Sequence, residues 1–132
     1  MSERNIFSLL NQNPHPFIVQ MHSAFTSKNY LYMVLDLCPG GDLFSLIQKH
    51  QSTRFSPSQA RLLFAEIVLA VEHLHKHNIL YRDLKPENIL VDEWGHLKLT
   101  DFGLSKQNFT RDDETKTVCG SPEYFCPEIL QD

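Results

Sequence analysis

Two short stretches of the sequence carry most of the residues that could do chemistry. Residues 81–88 read Tyr-Arg-Asp-Leu-Lys-Pro-Glu-Asn, and Asp101 begins an Asp-Phe-Gly triplet thirteen residues after Asn88. Asp101 and Asn88 supply hard oxygen ligands of the kind that Mg²⁺ prefers, and Lys85 supplies a compact positive charge two residues after the carboxylate of Asp83. Phosphoryl transfer needs metal-binding oxygens, a cation near the phosphate and a carboxylate aimed at the attacking hydroxyl. This combination of residues therefore favours phosphoryl-transfer chemistry.

In this order, the motifs resemble the catalytic loop and the metal-binding segment of the eukaryotic protein kinases. The resemblance implies that Asp83 orients the substrate hydroxyl and that Lys85 holds the γ-phosphate of ATP. It also implies that Asn88 and Asp101 bind Mg²⁺. Taken alone, Asp83 would more often be a solvated loop carboxylate or a turn cap. Its neighbours in the sequence favour the catalytic interpretation.

Two further features resemble the AGC group of kinases, which includes the cyclic-nucleotide-dependent kinases. Tyr81 stands where many kinases have His, and residues 117–124 resemble an activation segment that runs into the substrate-binding loop. The resemblance implies that an upstream kinase phosphorylates Thr117. Arg82 and Lys106 would then pair with the phosphate. The alternative is that Thr117 is an ordinary loop hydroxyl.

The same resemblance implies how a protein substrate would be held. Ser121 would reach the catalytic Asp and Lys. Asp42 and Glu87 match acidic positions that hold Arg residues upstream of the acceptor Ser, although a helix cap and a solvated loop charge are the alternatives. An apolar pocket for the residue after the acceptor would be formed by Val118, Pro122 and Phe125. The expected substrate is a protein with basic residues before the acceptor.

Another group of residues resembles the nucleotide pocket of kinases. Asp36 and Cys38 match the hinge whose backbone meets adenine, with Leu35 as gatekeeper and Leu90 as the floor beneath the ring. Glu3 lies in a segment that resembles the helix offering a Glu to the ATP-binding Lys. Kinases place that Lys and a Gly-rich loop upstream of this helix, and neither precedes Glu3 in the printed sequence. We therefore expect a pocket without a roof, and no catalysis by these 132 residues alone.

Hydrophobic spacing predicts the elements that position the first part of the chain. A short helix is predicted for residues 2–10, and a hairpin is predicted for 19–26 with 30–37. Pro and paired Gly then indicate a boundary near residues 36–41, after which Asp42 can cap a short helix.

The catalytic motifs are expected between a long helix and a second hairpin. Ser56 can cap the helix, with Pro57 in its first turn, and it should run for about five turns until Asn78 ends it. Strands 89–91 and 97–99 would form the hairpin and bring the two candidate metal ligands side by side. The predicted apolar stripe of the long helix comprises Ala60, Leu63, Phe64, Ile67, Ala70, Val71 and Leu74.

The predicted fold is α+β, a truncated form of the bilobal protein-kinase fold. Residues 1–37 would belong to the small lobe, 38–41 would end the hinge, and 42–132 would form the first half of the mainly helical large lobe. The composition, with 42% hydrophobic and 21% charged residues, is typical of one globular domain.

Charge and cysteine content exclude several classes of protein. A net charge of −4 and the absence of a basic stripe argue against a nucleic-acid partner. The apolar runs are too short for membrane insertion. Three scattered cysteines suit a reducing compartment, the cytoplasm or the nucleus, and a redox pair between Cys119 and Cys126 is disfavoured.

Alternative functions remain open at this level. A kinase-like module that binds partners without catalysis is the main rival, and the intact catalytic motifs argue against it. A small-molecule kinase is disfavoured by the peptide-binding loop at 121–124. His73 and His77 share a helix face, but histidines in a last helical turn more often interact with the negative helix end than with a metal.

Overall fold

The computed structural model describes residues 3–49, 55–110, 113–115 and 117–130. Its helices are α1 (Glu3–Gln12), α2 (Leu43–Lys49), α3 (Pro57–Lys76) and α4 (Pro127–Leu130), with 3₁₀ turns at Pro86–Asn88 and Pro122–Tyr124. Its strands are β1 (Met21–Thr26), β2 (Leu31–Leu35), β3 (Gly41–Asp42), β4 (Ile89–Val91) and β5 (Leu97–Leu99). The predicted α+β class and both predicted hairpins are confirmed.

Two small antiparallel sheets are joined through the chain just before β1. Strands β1 and β2 pair from Met21 with Leu35 to Thr26 with Leu31. The other sheet has the order β3-β4-β5. The Val19 N–H donates to the Leu99 carbonyl at 3.0 Å, and the Leu99 N–H donates to the carbonyl of residue 17 at 2.9 Å. The first hairpin is therefore anchored to the strand that leads to Asp-Phe-Gly.

Helix α1 is held by three apolar side chains at helical spacing. Ile6, Phe7 and Leu10 are all buried, and the Phe7 ring packs edge-on against Phe102 with centroids 5.1 Å apart. The helix extends two residues beyond the predicted end, to Gln12. Truncating a buried Phe to Ala costs about 3–5 kcal/mol, so this contact contributes substantially to the placement of the segment after β5.

The predicted helix signals are found at α2 and α3. Asp42 caps α2, because its carboxylate accepts from the Ser45 N–H at 2.7 Å and from the Ser45 hydroxyl at 2.8 Å. Ser56 and Gln59 form the predicted capping box of α3. After α3, Asn78 adopts a left-handed conformation with φ 55°, which turns the chain into the catalytic loop.

The predicted apolar stripe of α3 is correct only in its second half. Ala70 and Leu74 are fully buried, whereas Ala60 and Phe64 are exposed, so the prediction was wrong for these two residues. Leu63, Ile67 and Val71 are partly buried against the core. The physical reason is placement: the second hairpin packs along the later turns of α3, and the first turns extend beyond it.

Two further observations concern membrane-spanning helices and cysteines. No helix within the described ranges is long and apolar enough to cross a bilayer. Cys38, Cys119 and Cys126 are free thiols, the last of them exposed.

Candidate active site

The loop after α3 is fixed by the segment that follows Asp-Phe-Gly. Leu80 and Lys106 exchange backbone hydrogen bonds of 2.9 and 2.8 Å. Tyr81 is buried, its hydroxyl donates to the Thr100 carbonyl, and its ring meets Phe102 edge-on at 5.6 Å. These contacts set the position of the catalytic loop relative to the end of β5.

Tyr81 acts here as a hydrogen-bond donor. Burial, followed by the negative charges of Asp101 and Asp83, raises the pKa of Tyr81 well above its ordinary value. The phenol therefore stays protonated at physiological pH and keeps its bond to Thr100. A histidine would titrate in that range, whereas this side chain cannot.

Four predicted residues form one hydrogen-bonded cluster around the Asp83 carboxylate. Oδ1 of Asp83 accepts from the Ser121 hydroxyl at 3.1 Å. Oδ2 accepts from Asn88 Nδ2 at 2.8 Å and from Lys85 Nζ at 2.9 Å. Lys85 Nζ also donates to Ser121 Oγ at 2.9 Å. Asp83 is only 7% exposed, so the cluster places a buried charge beside a matching cation.

The electrostatics of the cluster favour an ionised pair. Burial opposes ionisation of Asp83, but hydrogen bonds from Lys85, Ser121 and Asn88 outweigh it and lower the pKa of the carboxyl. The hydrogen bond to Asp83 raises the pKa of Lys85. A carboxylate with a lowered pKa is a weak base. It is suited to orienting a hydroxyl through a charge-assisted hydrogen bond, which a loose phosphoryl-transfer transition state requires more than strong basicity.

The second hairpin brings the candidate metal ligands together. The Thr100 N–H donates to the Asn88 carbonyl at 3.0 Å, which places Asp101 next to the start of β4. Asn88 is buried, and its side-chain nitrogen also donates to the Asp83 carbonyl at 3.0 Å. Asp101 is exposed in a left-handed conformation, φ 57°, with Oδ1 accepting from the Gly103 N–H at 3.2 Å.

This donor set fits a magnesium ion that is held largely by phosphate oxygens. Among the described residues, no group of three or more acidic, His or Cys side chains could hold a metal by itself. Mg²⁺ in phosphoryl-transfer sites uses one or two protein oxygens with waters and phosphates, so one carboxylate and one amide suffice.

Glu66 and His96, which sequence reasoning missed, brace the hairpin. Glu66 of α3 lies 2.7 Å from His96 Nδ1 and accepts from the Leu97 N–H at 2.8 Å. Asp92, buried in the turn, accepts from the N–H groups of Trp94 and His96 at 3.0 and 2.9 Å. The hydrogen bond to Glu66 raises the pKa of His96. The available signal was an acidic residue, Glu66, directly before Ile67 of the predicted apolar stripe.

The predicted phosphosite is Thr117, and the cations predicted to bind its phosphate are Arg82 and Lys106. Thr117 is exposed. Arg82 Nε donates to the Leu104 carbonyl at 2.7 Å, and Lys106 Nζ lies 5.0 Å from the centre of the Phe109 ring. Both cations thus contact the segment after Asp-Phe-Gly, in contacts that do not involve Thr117.

Glu3 contacts the backbone of the Asp-Phe-Gly segment. Its Oε1 accepts from the Phe102 N–H at 3.0 Å. Phe102 is fully buried between Phe7 and Tyr81, so α1 grips this residue through both its ring and its backbone. The resemblance placed Glu3 among the residues of the nucleotide pocket. In the structure, its carboxylate orients Phe102, the residue after Asp101.

The hinge candidates lie at the end of β2. Leu35 and Leu90 are both partly buried. The Asp36 N–H donates to the carbonyl of residue 20 at 3.0 Å, and the Cys38 carbonyl accepts from the Gly41 N–H at 3.2 Å. Within the described ranges, the Asp36 carbonyl and the Cys38 N–H have no protein partner. One acceptor and one donor are therefore available to a planar heterocycle.

The residues predicted to bind the protein substrate differ in their exposure and in their contacts. Asp42 is engaged as the cap of α2, while Glu87 is exposed. A cavity of about 230 Å³ beside Asp83 is lined by residues of α3, the catalytic loop and the chain after residue 120. Ser121 and Phe125 belong to its lining. Of the three residues predicted to form an apolar pocket, Phe125 alone is in the lining of this cavity, and Val118 and Pro122 are exposed.

His73 of α3 and His77, which follows the helix, contact backbone carbonyls. His73 Nε2 lies 2.8 Å from the Asn13 carbonyl, and His77 Nδ1 lies 2.8 Å from the His73 carbonyl. The rings of His73 and His15 are 4.7 Å apart. These contacts tie the last turns of α3 to the loop after α1.

Comparisons with known proteins agree with this geometry. The family model described as Protein kinase domain matches residues 1–132. Serine/threonine-protein kinase sgk-1 of Caenorhabditis elegans is 50% identical over 130 residues, which is 98% of this chain and 27% of that protein. The cAMP-dependent protein kinase catalytic subunit of Dictyostelium discoideum is 49% identical over 130 residues, 98% of this chain and 19% of that protein. Human serine/threonine-protein kinase Sgk1 is 50% identical over 130 residues, 98% and 29% respectively.

The chain belongs to the protein kinase domain family. Its similarity to the Sgk and cAMP-dependent kinases confirms the AGC-type assignment made from Tyr81 and residues 117–124. The fold is correspondingly a part of the bilobal kinase fold. The chain spans 19% to 29% of the length of these relatives.

Proposed function

We propose that the chain is the central segment of an ATP-dependent Ser/Thr protein kinase catalytic domain of the AGC type. The observation that carries the proposal is the buried Asp83 carboxylate, which binds Lys85, Asn88 and Ser121 at once. Residues 1–37 would belong to the small lobe, 38–41 would end the hinge, and 42–132 would belong to the large lobe.

Asp83 orients the acceptor hydroxyl, and Lys85 stabilises the transferred phosphoryl group. Lys85 Nζ lies 2.9 Å from Asp83 Oδ2. The negative charge of Asp83 can therefore orient the nucleophile while the positive charge of Lys85, in direct contact with it, stabilises the phosphate. Asn88 and Asp101 would hold Mg²⁺, which when bound neutralises phosphate charge. Asn88 is oriented for this by its hydrogen bonds to Asp83, and Asp101 by the hydrogen bond from Gly103.

The adenine of ATP would lie against the hinge. Adenine presents an amine donor and a ring-nitrogen acceptor on one edge, which match the available Asp36 carbonyl and Cys38 N–H. Leu35 and Leu90 supply apolar surface on two sides. Glu3 supports this region indirectly, through the Phe102 N–H.

Substrate choice and regulation follow from the charges around the cluster. Glu87 is exposed and available to an Arg upstream of the acceptor, whereas Asp42 already accepts two hydrogen bonds from Ser45. Glu87 therefore carries the preference for basic substrates more directly. A phosphate on Thr117, added by an upstream kinase, would draw Arg82 and Lys106 away from their present contacts and order the loop.

A graft tests the proposed function. The matching 130-residue segment of the Dictyostelium cAMP-dependent kinase catalytic subunit would be replaced by this chain, since the two are 49% identical. We expect Mg-ATP-dependent phosphorylation of a basic peptide, and we expect Asp83→Asn to lower kcat by about 10²-fold or more. A folded graft with no more transfer than its Asp83→Asn form would favour the non-catalytic interaction module instead.

A further inference from the structure

We propose that Lys98 and His22 are positioning residues for nucleotide binding, because together they clamp the Asp36 carboxylate and fix the hinge above Leu90. This inference rests on the proposed function and deepens it. It assigns a role to two residues that none of the kinase motifs in the sequence contains.

Three segments that are distant in sequence meet at this carboxylate. Asp36 Oδ2 lies 3.0 Å from Lys98 Nζ of β5 and accepts from the Gln20 N–H at 3.1 Å. Asp36 Oδ1 lies 2.9 Å from His22 Nε2 of β1. Both oxygens are therefore engaged, and the side chain cannot rotate without losing at least one partner.

Strand geometry directs Lys98 to the nucleotide side of the hairpin. Leu97 and Leu99, its neighbours in β5, are buried at 2% exposure each, so the Lys98 side chain projects to the opposite face of the strand. Lys98 is paired across the sheet with Leu90. Residues directly opposite in antiparallel strands share a face, so the Lys98 stem lies beside the apolar floor expected under adenine.

The clamp acts on the residue whose backbone would meet the base. Asp36 donates its own N–H to the carbonyl of residue 20 at 3.0 Å, and its carbonyl is available to a ligand. With the side chain and the N–H both held, the Cα of Asp36 and the peptide plane before it are fixed, and the carbonyl can move only by rotation about the Asp36 ψ angle. Pre-positioning of this kind strengthens binding by reducing the ordering cost when the ligand arrives.

The charged side chains of Lys98 and Asp36 are largely shielded from water, so losing any one partner should destabilise the clamp. The Lys98 and Asp36 side chains are 16% and 19% exposed. Burial opposes ionisation of Asp36, but the bonds from Gln20, Lys98 and His22 lower the pKa of the carboxyl, so it is charged at neutral pH. The nearby Cys38 thiol is affected by the same charges: burial raises its pKa, Lys98 opposes this, and the Asp36 and Asp92 carboxylates add to it. Removing the Lys98 ammonium leaves a poorly solvated negative charge at the hinge.

The same graft provides the test, with ATP affinity as the readout. Lys98→Met should raise both the Kd for a fluorescent ATP analogue and the KM for ATP by about tenfold, with kcat within about twofold, because the Asp83 cluster is untouched. Lys98→Arg keeps the charge and should recover most of the affinity. Lys28→Met, at an exposed lysine in the first hairpin turn, is the matched control and should leave Kd unchanged.

The losses of ATP affinity caused by changing Asp36 and Lys98 should also be coupled. Asp36→Asn and Lys98→Met combined should cost less affinity than the product of the two single effects, and His22→Gln should give a smaller loss than His22→Ala. Unchanged Kd and KM in Lys98→Met, or full additivity in the double variant, would overturn the clamp. A graft that binds the analogue without transferring phosphate would reject the proposed function, and its Kd values would still decide the clamp. A graft that binds no nucleotide would reject both.

Discussion

The Asp83 carboxylate has donors on both of its oxygens. Ser121 occupies Oδ1, the oxygen that does not contact Lys85 and Asn88. An acceptor hydroxyl would approach the same carboxylate, so Ser121 sets the rotamer that the substrate meets. Its hydroxyl thus links the substrate-binding loop to the catalytic loop.

Removal of the Ser121 hydroxyl tests this link. Ser121→Ala in the graft should lower kcat by about tenfold, because the carboxylate and Lys85 each lose one partner, while Ser121→Thr should retain most of the activity. Steady-state kinetics with a Ser-containing peptide measure the effect. Ser8→Ala, at an exposed position of α1, serves as the control. Wild-type kcat in Ser121→Ala would show that the contact has no catalytic role.

Thr117 gives a second prediction for a single residue. In the graft, phosphorylation of Thr117 should raise activity, Thr117→Ala should prevent the increase, and high salt should weaken it, since surface charge pairs are screened. Peptide phosphorylation is measured before and after treatment with an activating kinase. Thr26→Ala is a control at an exposed strand position. Equal rates for the phosphorylated and Ala forms would refute the assignment.

Contacts between residues close in sequence could be predicted from residue type and spacing. Distant contacts were predicted only where the family resemblance implied them, as for Ser121 with Asp83 and Lys85. Asp83 and Asn88 are five positions apart in the sequence, so residue type and spacing nearly determine that they meet. The contact of Glu3 with Phe102 joins residues 99 apart, and that of Asp36 with Lys98 joins residues 62 apart. No local pattern encodes such pairs, because they depend on how the hairpins and α1 pack.

At the level of elements, turn and cap signals were reliable because they are local physical chemistry. The capping box of α3 and the left-handed Asn78 were both readable from residue type. The buried extent of α3 was not readable, since Phe64 fits the helical period yet is exposed. Periodicity indicates which residues share a face. It does not indicate how far along the helix a neighbour reaches.

The brace between α3 and the second hairpin predicts a pH dependence of stability. Because its bond to Glu66 raises the pKa of His96 above the ordinary 6.5, the folded state holds this proton more tightly than the unfolded state. The stabilisation is fully present below pH 6.5 and is lost as pH rises through the folded-state pKa. Relative to the unsubstituted protein at the same pH, Glu66→Gln should therefore lower the midpoint temperature of unfolding more at pH 6 than at pH 8.5.

Thermal unfolding followed by circular dichroism measures this difference. Glu72→Gln provides the control, because Glu72 is exposed on the same helix and forms an ion pair of 3.0 Å with Lys76 one turn away. An equal loss at both pH values in Glu66→Gln would mean that Glu66 acts only through the Leu97 N–H and not through the His96 charge.

Across the whole molecule, the notable feature is exposed apolar surface. Helix α3 and the first hairpin present large apolar side chains that solvent reaches, among them Leu62, Phe64, Val68, Leu69, Phe25, Tyr30, Leu31 and Tyr32. Patches of this kind on soluble domains usually mark surfaces that another element or partner covers. The chain corresponds to 19% to 29% of its relatives' length, which is consistent with such covering elements in the relatives.

The polypeptide of residues 1–132 should therefore bind a hydrophobic dye and unfold over a broad temperature range. The double change Leu62→Glu with Phe64→Glu should reduce dye binding without lowering the thermal midpoint, because both side chains are more than 60% exposed. Dye fluorescence and calorimetry make the comparison. A sharp, reversible transition with no dye binding would show a self-sufficient module and would favour the interaction-module function.

Transfer of labelled phosphate from ATP to a basic peptide tests the central claim most directly. The graft, its Asp83→Asn form and the polypeptide of residues 1–132 would be assayed side by side with Mg²⁺. We predict clear transfer by the graft, a loss of about 10²-fold or more in Asp83→Asn, and none above that level from the 132 residues alone. Equal transfer by the graft and its Asp83→Asn form would contradict the assignment of the cluster as a catalytic site.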